Sequence, residues 1–272
     1  YMHITQVPVL ERDLVNTTIL YAFVFAMILV SGLSMTLSRY LADQVYLKKQ
    51  ARILPSLTGA VTILVCAGGL ICMVFFVFSP LDVLFKLLAY SLFVELSCIY
   101  LFMVYMSAVK DYRRITAAFS LGAFLTIVLS IILRALKIPV PLAVLTGLDI
   151  GLMVNMAFML LVIRKHFGGI GKRQYRFLLY FKRMPLLFLT STLYAIGLFA
   201  HNFVFWLFSD LAVSLHSTYR YAPFYDNATF FAVLTIVPSS VIFVVRVETS
   251  FYEKYRAFCN AIISGGSLKT VD

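Results

Sequence analysis

Glu95 is the one charged side chain between Lys86 and Lys110, set in the apolar stretch LFVELSCI. A carboxyl in such a place can hold a cation or carry a proton. It can equally be a protonated or paired acid with a purely structural role. Asp149 repeats the pattern: it stands between Gly147 and Gly151 in LTGLDIGLMVN, and the amide of Asn155 follows further along. If these stretches cross a bilayer, an ionised Asp at the centre costs about 2.5–3.5 kcal/mol on insertion scales, so such a residue must face protein or water rather than lipid. A third group is Thr190, Tyr194, His201 and Asn202. Steps of four and seven residues put Thr190, Tyr194 and His201 on one face of a helix. Hydroxyl, phenol, imidazole and amide groups supply both donors and acceptors, and an imidazole can titrate near neutral pH. A packed, hydrogen-bonded histidine is the alternative.

Other chemistries find no support in the sequence. The four histidines, at 3, 166, 201 and 216, have no metal-ligand spacing, and the four cysteines have neither metal nor disulfide spacing. Gly168, Gly169 and Gly171 precede Lys172, but the G-x-x-x-x-G-K-[ST] order of a phosphate loop is missing and no strand leads into it. With no catalytic residue, metal or cofactor to assign, the expectation is a protein that is not an enzyme.

The elements that must position these residues follow from composition. The sequence is 62% hydrophobic and only 13% charged, where a soluble domain carries roughly a quarter charged residues. A hydrocarbon core about 30 Å thick needs about 20 apolar residues per helix. Seven such runs are marked, at about 15–42, 54–79, 82–108, 114–133, 139–163, 184–208 and 228–250. Period-two blocks of about ten residues, the mark of a membrane β-barrel, do not occur. The fold class expected is all-α, a polytopic membrane protein with seven transmembrane helices.

Charge then sets the orientation. A net charge of +11 would point to nucleic acid in a soluble chain, but here eighteen of the 23 basic residues fall in alternate connections and five in the others. Under the positive-inside rule the eighteen face the cytoplasm. The first run therefore passes inward, the chain ends inside, and no nucleic-acid partner is expected. Because the chain starts at Tyr1 on the outer side, a preceding helix is expected to have carried it across. The connection 164–183 reads as a glycine turn and then a basic amphipathic helix on anionic lipid.

Two stretches carry a resemblance. SGLSMTLSRYLADQVYLKKQARILPSLTGAV, 31–61, resembles the second helix and following loop of the membrane subunits of Pel exopolysaccharide exporters, the PelG family of the multidrug/oligosaccharidyl-lipid/polysaccharide flippase superfamily. PLLFLTSTLYAIGLFAHNFVFWLFSD, 185–210, together with 219–258, is similar to the family's segment after its central linker. Within it the turn Ala222-Pro223-Phe224-Tyr225-Asp226 and the pattern of Arg246, Glu248, Thr249, Phe251, Tyr252, Glu253, Tyr255 and Arg256 are specific. At one place the chain departs from the pattern: His201 and Asn202 stand where an acidic or charged pair is expected.

The resemblance implies two lobes of six helices each. Residues 1–163 would hold helices two to six of the first lobe, 164–183 the basic inter-lobe linker, and 184–272 the start of the second lobe and a cytoplasmic tail. It implies export of a Pel-type polysaccharide across the bacterial cytoplasmic (inner) membrane, with a cytoplasmic glycosyltransferase and inner-membrane synthase subunits as partners. An ion-coupled small-molecule antiporter or lipid-linked oligosaccharide flippase is the alternative. On this plan Glu95, Asp149, Asn155, Thr190, Tyr194, His201 and Asn202 line the translocation path or a cavity. Arg39, Asp43, Arg246, Glu248, Glu253 and Arg256 form a cytoplasmic gate or partner surface, and Pro238 kinks its helix.

Overall fold

The computed structural model describes residues 8–109, 112–168, 174–247 and 251–263. Helix α1 spans Val9–Tyr46, α2 Ile53–Phe76, α3 Val83–Val109, α4 Tyr112–Ala135, α5 Val140–Phe167, α6 Leu178–Arg183 and α7 Pro185–Phe208. A hairpin follows, β1 Val213–Leu215 and β2 Tyr219–Tyr221. Helices α8, Pro223–Arg246, and α9, Tyr252–Ile263, come last. Two compact units divide between Tyr221 and Ala222.

Six helices of the described residues are long and apolar enough to cross a bilayer: α1, α2 with the turn before it, α3, α4, α5 and α7. This is an all-α membrane protein in architecture. The run expected at 228–250 falls largely on α8, Pro223–Arg246, which is not among the six. Helix α8 continues across Pro238. Glu248 lies outside the described residues.

In the first unit α3 is the innermost helix, packed against α1, α2 and α5, while α4 leans mainly on α5. Burial follows from this placement. Leu92, Leu101, Tyr105 and Met106 of α3 are fully buried, whereas α4 leaves Phe124, Ile127 and Ile131 exposed, as a lipid-facing helix does. The α4–α5 crossing is close because small residues meet. A methyl group on Gly122 would lie 2.7 Å from the Gly151 carbonyl oxygen, and one on Gly151 would lie 2.6 Å from that of Gly122. In lipid, helix association depends on such packing, since the tails are as apolar as the side chains.

Helix α7 packs along α1 in this same unit. Gly32 admits Phe188 and Thr192, to within 2.5 Å of where a methyl group would sit. The Ser191 hydroxyl donates to the Ser31 carbonyl. Further along, Phe25 meets Phe203 at 5.7 Å between ring centres, and Tyr21 stacks on Trp206 at 4.5 Å. Ser31 and Gly32 therefore serve helix packing here.

The connection read as a glycine turn and then a basic amphipathic helix has one short helix among its described residues: α5 ends at Phe167, and after turns at 174–177 Leu178–Arg183 is helical. It is anchored to α1 and α2. Phe177 is fully buried, the Gln174 carbonyl lies against Gly59, and the Tyr180 hydroxyl donates to Asp43 at 2.9 Å.

Candidate functional site

The intramembrane polar residues come from α3 and α5. Glu95 is 4% exposed, Asp149 5% and Asn155 1%. Ser91, one turn before Glu95, donates to its Oε1 at 3.0 Å. Among the described residues, Glu95 Oε2, both oxygens of Asp149 and Asn155 Oδ1 are buried without a hydrogen-bond partner. Glu95 and Asp149 lie near enough to interact electrostatically. Two buried carboxyls with three of their four oxygens unpartnered among the described residues form an unusual arrangement, because buried polar groups are normally satisfied.

Helix geometry explains the grouping. Asp149 lies between Gly147 and Gly151, which both face α4. Across from them stand Thr126 and Ser130, whose side chains meet any methyl group placed at Gly151 and Gly147. The Thr126 hydroxyl donates to the Gly122 carbonyl at 3.0 Å, and the Ser130 hydroxyl is buried without a partner. Gly122, Thr126 and Ser130 were missed in the sequence reading. Their spacing of four, small residues on one face of α4, is the signal that could have found them.

The candidates on α7 separate from this cluster. Thr190 is exposed, and its hydroxyl donates back to the Leu186 carbonyl at 2.7 Å. Tyr194 is 73% exposed, and His201 is exposed too. Asn202, next in sequence to His201, is 3% exposed and lies on the buried side of α7 with Ala195 and Trp206. One residue turns a helix by about 100°, so the adjacent pair points to two surroundings. The seven candidates for a path or cavity thus comprise a buried acid pair, a buried amide, Asn155, that lies against Gly122 of α4, an exposed stripe of three, and a second buried amide, Asn202.

At the basic ends, Arg39 pairs with Asp43 at 3.6 Å, one helical turn apart and partly exposed. Such a surface pair contributes tenths of a kcal/mol. Asp43 also accepts from Tyr180, so it links α1 to α6. Arg246, Glu253 and Arg256 belong to the second unit, where all three are exposed.

One cavity is lined by none of the predicted residues. It has a volume of about 70 Å³ and apolar walls, with Thr18 and Tyr21 of α1, Cys72, Phe75 and Phe76 of α2 and Phe93 of α3 among them. Tyr219 of the hairpin also lines it. Burial pushes the Tyr219 phenol above the usual tyrosine range, so it stays neutral. The hairpin within 213–221 was missed in the sequence.

Helices of this length and composition, with polar side chains held between them, define a multi-pass membrane protein. Its family is given by comparison. The model of the PelG family, described as "Putative exopolysaccharide Exporter (EPS-E)", matches residues 1–272, and the chain belongs to that family. No curated protein and no solved structure matched.

Proposed function

We propose that this protein exports a Pel-type polysaccharide across the bacterial cytoplasmic membrane and performs no chemistry on it. Membership of the exopolysaccharide exporter family over the whole chain carries this reading. The exposed stripe of Thr190, Tyr194 and His201 on α7 is the surface best suited to a sugar chain, because it offers donors and acceptors without requiring a buried core to open. Glu95, Asp149 and Asn155 do not touch the polymer on this account. Buried inside the first unit, they serve the energetics of transport by binding a cation or proton. A cytoplasmic glycosyltransferase and inner-membrane synthase subunits would deliver the polymer.

The buried acid pair also gives the competing reading its support. An ion-coupled antiporter of small molecules, or a lipid-linked oligosaccharide flippase, needs an ion-binding residue of this sort. The two separate by experiment. A photoreactive amino acid at Tyr194 of the full-length protein, in cells making the polymer, is expected to capture polysaccharide. Purified protein in proteoliposomes is expected to show no substrate-dependent ion flux with small amphipathic compounds. Flux without polymer capture would favour the antiporter.

A further inference from the structure

The hairpin Val213–Tyr221 has no part in the reading above, yet its contacts reach three helices of the first unit. Tyr219 is 2% exposed, with its ring edge-on to Tyr21 at 5.1 Å and tilted to Phe75 at 5.5 Å. The Tyr21 hydroxyl donates to the Arg220 carbonyl at 2.6 Å and accepts from the Arg220 N–H at 3.2 Å. Tyr221 donates to Asp13 at 2.5 Å, and the Thr218 and Ser79 hydroxyls lie 2.8 Å apart. The same Tyr21 ring stacks on Trp206 of α7. Tyr21 is thereby the point where α1, the end of α7 and the hairpin are fastened together.

Two features mark the fastening. An apolar pocket of about 70 Å³ lies against the Tyr219 ring. The turn is built without glycine. His216 and Ser217 both have positive φ, 49° and 53°, although tight hairpin turns with two such residues favour Asn and Gly. Side chains held in the left-handed region mark stored strain where the surroundings hold them there.

We propose that the hairpin is a latch: Tyr219 seated in its socket holds α7 against α1 at the end of the bundle poor in basic residues, and its withdrawal allows the two helices to part there. This rests on the export reading, since parting α1 from α7 matters only if a substrate passes beside them. It adds a moving element and the residue that must move.

The test uses the full-length protein with other cysteines replaced, in cells making the polymer. Ser79→Cys with Thr218→Cys puts two thiols where the hydroxyls now touch. Oxidation is expected to close a disulfide and to lower secreted polymer at least tenfold, and reduction is expected to restore it. Recovery on reduction shows that the variant is folded. Complete crosslinking with unchanged export would overturn the latch. A second arm reads motion directly: with Cys72 as the single thiol beneath Tyr219 and the hairpin unaltered, its labelling by an impermeant maleimide should rise several-fold when the polymer is being made. Equal labelling with and without polymer synthesis would also overturn it. Deleting the gene separates the two readings: polymer secretion that survives deletion defeats the export reading, whereas secretion lost on deletion but kept by the crosslinked protein defeats the latch alone.

Discussion

The unpartnered oxygens of Glu95 and Asp149 separate a functional role from a structural one. If the pair existed only to hold α3 to α5, its loss would weaken the fold, because breaking a satisfied buried network is costly. Among the described residues it is not satisfied: three of the four carboxyl oxygens have no hydrogen-bond partner there. Glu95→Gln and Asp149→Asn are therefore expected to leave the unfolding temperature in detergent unchanged or slightly higher, while secreted polymer falls tenfold or more. A destabilised protein with normal export would make the acids structural. Tyr194, being 73% exposed, should behave differently from a core aromatic. Tyr194→Ala is expected to change stability by less than about 0.5 kcal/mol and to reduce export, measured as secreted against retained polymer. The sequence made both acids legible, because a lone carboxyl in an apolar run stands out by type alone. It did not make their sealing legible, since burial depends on which helix becomes the innermost one, and that is a matter of tertiary packing. Nor did it separate His201 from Asn202 until the α1-facing side of α7 was known.

At the scale of elements, the α4–α5 crossing is the clearest case of packing dictated by residue size. Gly151→Ala must displace the Gly122 carbonyl or Thr126, and overpacking of this kind costs typically about 1–3 kcal/mol. Gly151→Leu should be worse, detectable as faster proteolysis of the purified protein and a lower unfolding temperature. Gly197, with open space where its methyl would stand, is the control, and Gly197→Ala should be neutral or stabilising by about 1 kcal/mol or less in helical context. The helices themselves were read closely from hydropathy: the runs at 54–79, 82–108 and 184–208 correspond to Ile53–Phe76, Val83–Val109 and Pro185–Phe208. Their ends were less legible. Helix α1 begins at Val9 and continues to Tyr46, past Arg12, Asp13, Arg39 and Asp43, because a helix does not stop where its side chains become charged. The hairpin escaped because three-residue strands are too short for periodicity to distinguish them from loop.

For the molecule as a whole, the family match and the six apolar helices agree on an exopolysaccharide exporter embedded in a membrane. The seven-helix reading relied on hydropathy alone, whereas the structure supports six spans among the described residues. The lobe plan taken from the resemblance puts α7 in the second lobe, and in the structure α7 belongs to the same compact unit as α1. On the latch proposal that contact opens at one end, which gives Tyr21, Trp206 and the hairpin more weight than their apolar character announces. The most direct measurement of the central claim is the distribution of polysaccharide in cells whose gene for this protein is deleted and then restored. The account predicts that deletion abolishes secreted polymer, leaves polymer or its precursors inside, and that the wild-type gene restores secretion. Normal secretion from the deletion strain would contradict it.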